Sequence, residues 1–168
     1  MQVRAFRSED APALGRIFYS AVHQIGRLHY SPDQLEAWAP VVPGPDSFRE
    51  LAADGRLLLL AVDGSDQPLA YGDLEADGHI DHLYCHPDVA GTGTTSALYD
   101  QLEAAAKDRG ISRLHVEASE PARRFFLRKN FVLLQRRDFT FRDVAIHNFA
   151  MEKQLDARGR PRSSGTRA

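Results

Sequence analysis

The pattern of apolar and polar positions divides the chain into strand-like and helix-like stretches. Residues 1–6 alternate, with Val3 as the inward side chain of a first strand. Ser8-Glu-Asp opens a helix whose apolar face is Ala11, Leu14, Phe18, Ala21, Val22 and Ile25, ending near Gly26. That face reads as core packing. Ser31, Pro32 and Gln34 begin a second, short helix with Leu35 and Trp38 on one side. After a Pro/Gly turn at 41–45, residues 46–53 form a short helix closed by Gly55. Residues 56–62 are almost continuously apolar, as in a strand buried on both faces. Asp63-Gly-Ser-Asp reverses the chain into a strand at 68–76, and Asp77-Gly-His reverses it again into a strand at 80–85. This is an antiparallel meander.

The meander runs into the stretch around which the chain is organised. Pro87 cannot donate to a ladder, so the strand stops there. Gly91 and Gly93 can take positive φ and let a ligand approach the backbone. Thr94, Thr95 or Ser96 can cap the following helix. Its apolar face is Leu98, Leu102, Ala105 and Ala106, and it closes at Gly110. A helix start offers N–H groups without internal partners and the positive end of a dipole, which suits a phosphate. An ordinary strand-to-helix connection accounts for the spacing equally well. A Walker-type loop is excluded, since no Gly-Lys-Ser/Thr follows, and Ser96 stands where a GxGxxG motif needs its third glycine. Residues 113–118 form the next strand, so strand, helix and strand make a crossover that implies a parallel pair. Ser119 caps a further helix, with Pro121 in its first turn and Arg128 and Lys129 in its last. Asn130 suits a left-handed position after that helix. Two strands close the fold at 131–138 and 144–153, turning near Arg142-Asp143.

The segment from His86-Pro-Asp through Gly91-Thr-Gly-Thr-Thr-Ser-Ala-Leu98 resembles motif A of the GCN5-related N-acetyltransferases (GNAT). Ala90 stands at that motif's Gln/Arg position, Gly93 at its first Gly and Thr95 at its final Gly/Ala. Ser119-Glu-Pro-Ala-Arg-Arg-Phe-Phe through Phe131 is similar to the family's later Asn-x-x-Ala-x-x-Phe-Tyr…Gly-Phe segment. His29-Tyr-Ser-Pro-Asp-Gln-Leu-Glu-Ala-Trp38 resembles a segment of one bacterial branch of acetyltransferases. The resemblance implies a mixed α/β (α+β) single domain over 1–155, with a mostly antiparallel sheet opened at one splayed parallel pair. It implies N-acetyl transfer from acetyl-CoA to a primary amine of a small molecule or peptide, by direct attack in a ternary complex. The backbones of Leu83, Tyr84 and Cys85 would hold the acetyl oxygen and pantetheine. Ala90, Gly91, Thr92, Gly93, Thr94 and Thr95 would hold the pyrophosphate, and Ser119 and Phe126 would flank the arm. Many members place a Tyr at the position of Phe126, as acid to the leaving thiolate. Phe has no proton to give, so the proton would come from a water, Tyr84 or Cys85, or the thiolate would leave directly.

On strand alternation, Asp81 shares a face with Leu83 and Cys85 and is the first candidate for the base; His79, His82 and Glu75 are reserves. His29 and Tyr30, with Asp81, are candidates to contact the amine, while Trp38 reads as core. The alternative from another class is a non-catalytic module on the same fold that binds acyl-CoA or bridges partners.

Composition narrows the remaining classes. The chain has 168 residues, enough for one substantial core. No run approaches the roughly 20 apolar residues of a membrane span, and residues 1–20 carry Arg4, Arg7, Glu9 and Asp10 and lack a secretory apolar core. A cytoplasmic protein without a membrane partner is the expectation, and a homodimer is left open. Cys85 is the lone cysteine, which excludes an intrachain disulfide and a Cys-based zinc cluster. His79, His82 and His86 do not share one strand face, so no metal is expected. The tail 156–168 carries four Arg and one Asp and reads as disordered; removing its +3 from the formal −2 leaves the body at −5. An acidic body speaks against a nucleic-acid partner, despite the basic, Phe-bearing stretch from Arg123 to Arg142.

Overall fold

The computed structural model describes residues 1–156. The expected disordered tail therefore lies, beyond Asp156, outside the described residues. Among the described residues seven strands form two antiparallel sheets. The first has the order β1 (Gln2–Ala5), β2 (Leu57–Val62), β3 (Pro68–Leu74), β4 (Leu83–Cys85). The second has the order β5 (Arg113–Ala118), β7 (Val144–Gln154), β6 (Val132–Phe141). Five α-helices pack on these sheets: α1 (Ala11–Ser20), α2 (Pro32–Trp38), α3 (Pro45–Ala53), α4 (Thr94–Asp108) and α5 (Glu120–Arg128).

Alternation along the strands assigns the two faces of the first sheet. Leu58, Leu60, Val62 and Tyr71 turn to α1 and α3, where they bury Ala11, Leu14, Ile17 and Phe48. Ala61 and Ala70 turn to Leu98 of α4 on the other face. The nearly unbroken apolar run of β2 is thus explained by burial on both sides. A larger cluster continues from α4 through Tyr99, Leu102 and Ala106 to Leu114, Val116, Phe126, Phe131 and Met151, and joins the two sheets. The capping box at Ser31/Gln34 and the Ser119 cap of α5 form as the residues dictate. Asn130 takes φ 66°, and Arg142 and Asp143 take φ 48° and 62°, the double positive φ of a tight hairpin turn.

Two expectations change. The strand expected at 80–85 shortens to Leu83–Cys85. The cause is Asp73, fully buried on β3: its carboxylate accepts the Asp81 and His82 N–H groups at 2.9 and 2.8 Å. A side chain there replaces the ladder partner and bends the chain away from strand geometry. The crossover from β4 to β5 also does not give a paired ladder. One parallel bridge, His79 to His115, links the segment before β4 to β5. His115 N–H donates to Gly78 O at 3.1 Å, and Ile80 N–H donates to His115 O at 3.0 Å. Beyond that bridge β4 and β5 share no ladder. β6 is the free edge of the second sheet, with Val132, Leu133, Leu134, Phe139 and Phe141 all exposed. Among the described residues no helix is long and apolar enough to cross a membrane.

The junction of the sheets depends on Gly78. Its φ is +92°, and a Cβ there would sit 2.0 Å from the backbone oxygen of Arg113. Gly78→Ala is expected to cost about 3 kcal/mol or more, from the left-handed backbone and the overlap together. Chemical denaturation checks this, and a loss below about 1 kcal/mol would separate the junction from the fold's stability.

Candidate active site

A cleft of about 550 Å³ opens where β4 and β5 separate. Its floor is β4, one side is the Gly91–Gly93 loop with the start of α4, and another is α5. The third wall is the end of the first helix and Trp38 of α2.

The backbone of β4 is the first functional element. His86 N–H donates to Leu69 O at 2.7 Å, and Asp73 N–H donates to His82 O at 3.1 Å. With the register Ala70–Cys85, Tyr71–Tyr84 and Gly72–Leu83, the antiparallel alternation points Tyr84's backbone groups at Tyr71. The backbone groups of Leu83 and Cys85 then face the open edge of the sheet. So two of the three expected backbone contacts on β4 are turned to the cleft, and the Tyr84 backbone is spent in the ladder.

The second element is the loop into α4. Gly91 and Gly93 take φ 76° and 92°, which L side chains adopt only under strain. Gly93 itself occupies the N-cap, and no side chain caps the helix. The expectation that Thr94, Thr95 or Ser96 would cap it is corrected here. Thr94 Oγ1 instead lies 3.0 Å from Thr92 Oγ1, which donates to Val89 O at 2.7 Å. The amides of the first turn thus have no side-chain cap, at the positive end of a 15-residue helix.

The third element is α5. Ser119 and Ala122 line the cleft together with Pro121, Phe125, Arg128 and Lys129. Ala122, Phe125 and Lys129 face the cleft, while Phe126 is packed into the core. Phe126 is 3% exposed and packs on Phe131 and Tyr99, so it lies outside the cleft, and Phe125 takes the place expected of it. Lys129 pairs with Asp100 at 2.6 Å.

Tyr84 and Cys85 contribute side chains. The Tyr84 ring meets Phe18 edge-on and stacks on Tyr71. Burial pushes its phenol well above the ordinary tyrosine value; the Asp81 and Asp73 charges push the same way, and a hydrogen bond with Trp38 opposes them. Burial likewise raises the Cys85 thiol, opposed by its hydrogen bond with Thr95. Both groups therefore hold their protons at neutral pH, which leaves Tyr84 as a hydrogen-bond donor and Cys85 as an unreactive thiol.

Asp81, His29 and Tyr30 fall elsewhere. Asp81 does not line the cleft: residues 80–82 are not a strand, so alternation does not carry from Leu83 back to Asp81. It is exposed and pairs with Arg56 at 3.3 Å and His82 at 3.4 Å. The reserves are similarly engaged. His82 Nδ1 lies 2.8 Å from Asp73, while His79 lies 3.1 Å from Glu75 and 2.6 Å from Glu117. Ligand atoms of His79, His115 and Glu117 approach one another within 4.8 Å, as do those of Asp73, Asp81 and His82. Tyr30 is buried, and its hydroxyl accepts the Glu120 N–H at 2.7 Å, so it braces the start of α5. His29 ends a short turn, with its N–H donating to Gly26 O at 2.8 Å. Trp38, read from sequence as core, is a cleft wall. So are Ala21, Val22, Ile25 and Gly26, because α1 continues as a π-turn over Ala21–Ile25 that brings this stretch to the cleft.

An open strand edge beside an uncapped helix start, within one cleft, defines an acyltransferase of the GNAT architecture. The GNAT acetyltransferase domain model matches residues 27–155. The chain belongs to the GNAT family of acetyltransferases and is an enzyme of that class. It is 28% identical to the uncharacterized N-acetyltransferase YafP of Escherichia coli K12, over 90% of this chain and 94% of that protein. A GCN5-related N-acetyltransferase structure from Rhodopseudomonas palustris is 33% identical, covering 92% and 95% of the two chains with a TM-score of 0.84. The PaiA N-acetyltransferase of Thermoplasma acidophilum, solved with coenzyme A, shares the fold at 16% identity, 92% and 98% coverage and a TM-score of 0.75.

Asp73 holds the bend that frees β4. Its carboxyl lies below the usual range: burial pushes it up, and the hydrogen bonds and charges of His82 and Arg56 more than offset this. Asp73→Ala leaves the Asp81 and His82 N–H groups without their acceptor and takes one partner from His82 and from Arg56, which keeps Asp54 and Asp81; it is expected to cost about 3 kcal/mol in denaturant unfolding. Because the folded value is depressed, the wild-type contribution is complete above the unfolded value near pH 4 and is lost as pH falls through the folded one. The stability gap between wild type and Asp73→Ala should therefore narrow in acid; a constant gap would contradict an ionised Asp73.

Proposed function

We propose that this enzyme transfers the acetyl group of acetyl-CoA to a primary amine of a small molecule or peptide, by direct attack in a ternary complex. The observation that carries the reading is the meeting of two unpaired backbone surfaces in one cleft: the free edge of β4 at Leu83 and Cys85, and the uncapped first turn of α4. The family's members PaiA and a Salmonella typhimurium acetyltransferase, solved with coenzyme A and acetyl-CoA, support the cosubstrate.

On this reading the diphosphate lies against the amides of Gly91 to Ser96, where the dipole favours anions. Arg128 and Lys129, the latter paired with Asp100, also line the cleft. The pantetheine arm runs between β4 and α5, along Ser119, Ala122 and Phe125. The Leu83 and Cys85 N–H groups receive the acetyl oxygen as it gains charge, a fixed-donor arrangement that stabilises the tetrahedral intermediate. Tyr84, protonated and half-buried, donates a hydrogen bond at the reacting end. A second copy would find its surface at the exposed edge of β6.

Two substitutions test the assignment separately. Thr95→Glu adds a carboxylate in the first turn of α4, which the helix dipole favours but the diphosphate does not. The melting temperature should hold while the acetyl-CoA Kd rises about tenfold or more; an unchanged Kd would remove this loop as the diphosphate site. Tyr84→Phe should lower kcat about 10- to 100-fold and leave acetyl-CoA binding intact. Undiminished kcat would take Tyr84 out of the chemistry.

A further inference from the structure

Resting on the acetyl-CoA reading of this cleft, we infer that the amine acceptor is a weakly basic aromatic amine. The wall opposite α5 is made of Ala21, Val22 and Ile25 and is completed by the rings of Trp38 and Tyr84. No carboxylate and no imidazole lines the cleft among the described residues, and its formally charged members, Arg128 and Lys129, are both cations. Acidic groups around it are engaged by cations, Asp100 by Lys129 at 2.6 Å among them. Glu120 is held by His147 at 3.1 Å and Arg123 at 2.9 Å, and Asp81 by Arg56 at 3.3 Å.

Two consequences follow for the acceptor. A polyamine, an aminoglycoside or a lysine side chain arrives as an ammonium ion. It would lose water against an apolar wall with no counter-ion. An ammonium also has no lone pair, and no group of the lining is placed to take its proton. An aromatic amine avoids both costs. Its lone pair is delocalised into the ring, so it is neutral at pH 7, and its flat body can pack on Trp38 and Tyr84. The π-turn Ala21–Ile25 sets this wall, and such turns recur at functional sites. In the reaction the amine nitrogen attacks the thioester carbon. The C–N bond forms, the C–S bond breaks, and the proton shed by nitrogen ends on sulfur, giving the amide and the free thiol.

The test uses the full chain with acetyl-CoA, reading thiol release for an aniline-type amine, an arylalkylamine, spermidine and a lysyl peptide. Calorimetry of acetyl-CoA runs in parallel. The arylamine should lead, with kcat/KM at least about tenfold above spermidine and the peptide. Ile25→Asp, which puts a carboxylate in the wall, should narrow that ratio. Preference for the arylalkylamine, spermidine or the peptide while acetyl-CoA binds normally overturns the acceptor class and leaves the cosubstrate reading standing. So does bound acetyl-CoA with no arylamine turnover. Failure to bind acetyl-CoA overturns both.

Discussion

The structure depends on a strand pair that begins and then stops. His115 exchanges backbone hydrogen bonds with the 78–80 segment, and Gly78 makes that approach possible because a Cβ would collide with the Arg113 carbonyl. One residue pair later the strands diverge. The divergence is maintained from behind by Asp73, whose carboxylate does for Asp81 and His82 what a ladder carbonyl would have done. The consequence is a strand with polar backbone on its open side. In a sheet interior such groups carry a penalty; at the bottom of a cleft they become a recognition surface.

The same logic governs the adjoining helix. A side chain at the N-cap would have satisfied the first amides of α4 internally, as Ser119 does for α5 and Ser31 for α2. Gly93 leaves them unsatisfied, at positive φ, on the longest helix of the fold. α1 and α3 also begin without a side-chain cap, but of these three helices only α4 brings its start to the cleft. Tyr30 ties the start of α2 to the first amide of α5.

Much of this was legible in the residues. The meander, the Gly loop, the capped helix at Ser119, the left-handed Asn130 and the Arg142-Asp143 turn rest on local rules of backbone sterics and capping, and each lies where those rules put it. The side-chain assignments were harder. Placing Asp81 on the cleft face assumed unbroken strand alternation, and the Asp73 carboxylate, nine residues from His82 in sequence, breaks it. Phe125 and Phe126 are adjacent, and only the packing of α5 on Tyr99 and Phe131 decides which one enters the core. Trp38 and Ile25 look like core residues because they are apolar and periodic, and a π-turn, which has no sequence signature of its own, brings Ile25 to the cleft.

The most direct measurement is the 15N–1H spectrum of the full chain titrated with coenzyme A and then acetyl-CoA. The amides of Leu83, Cys85 and Thr94 to Ser96 are expected to shift and become protected from exchange. The Tyr84 amide, already paired with Tyr71, should gain little protection, and Leu83 and Cys85 should respond further when the acetyl group is present. Saturating cofactor that leaves the Leu83 and Cys85 amides unchanged would contradict the claim that the interrupted strand pair holds the thioester.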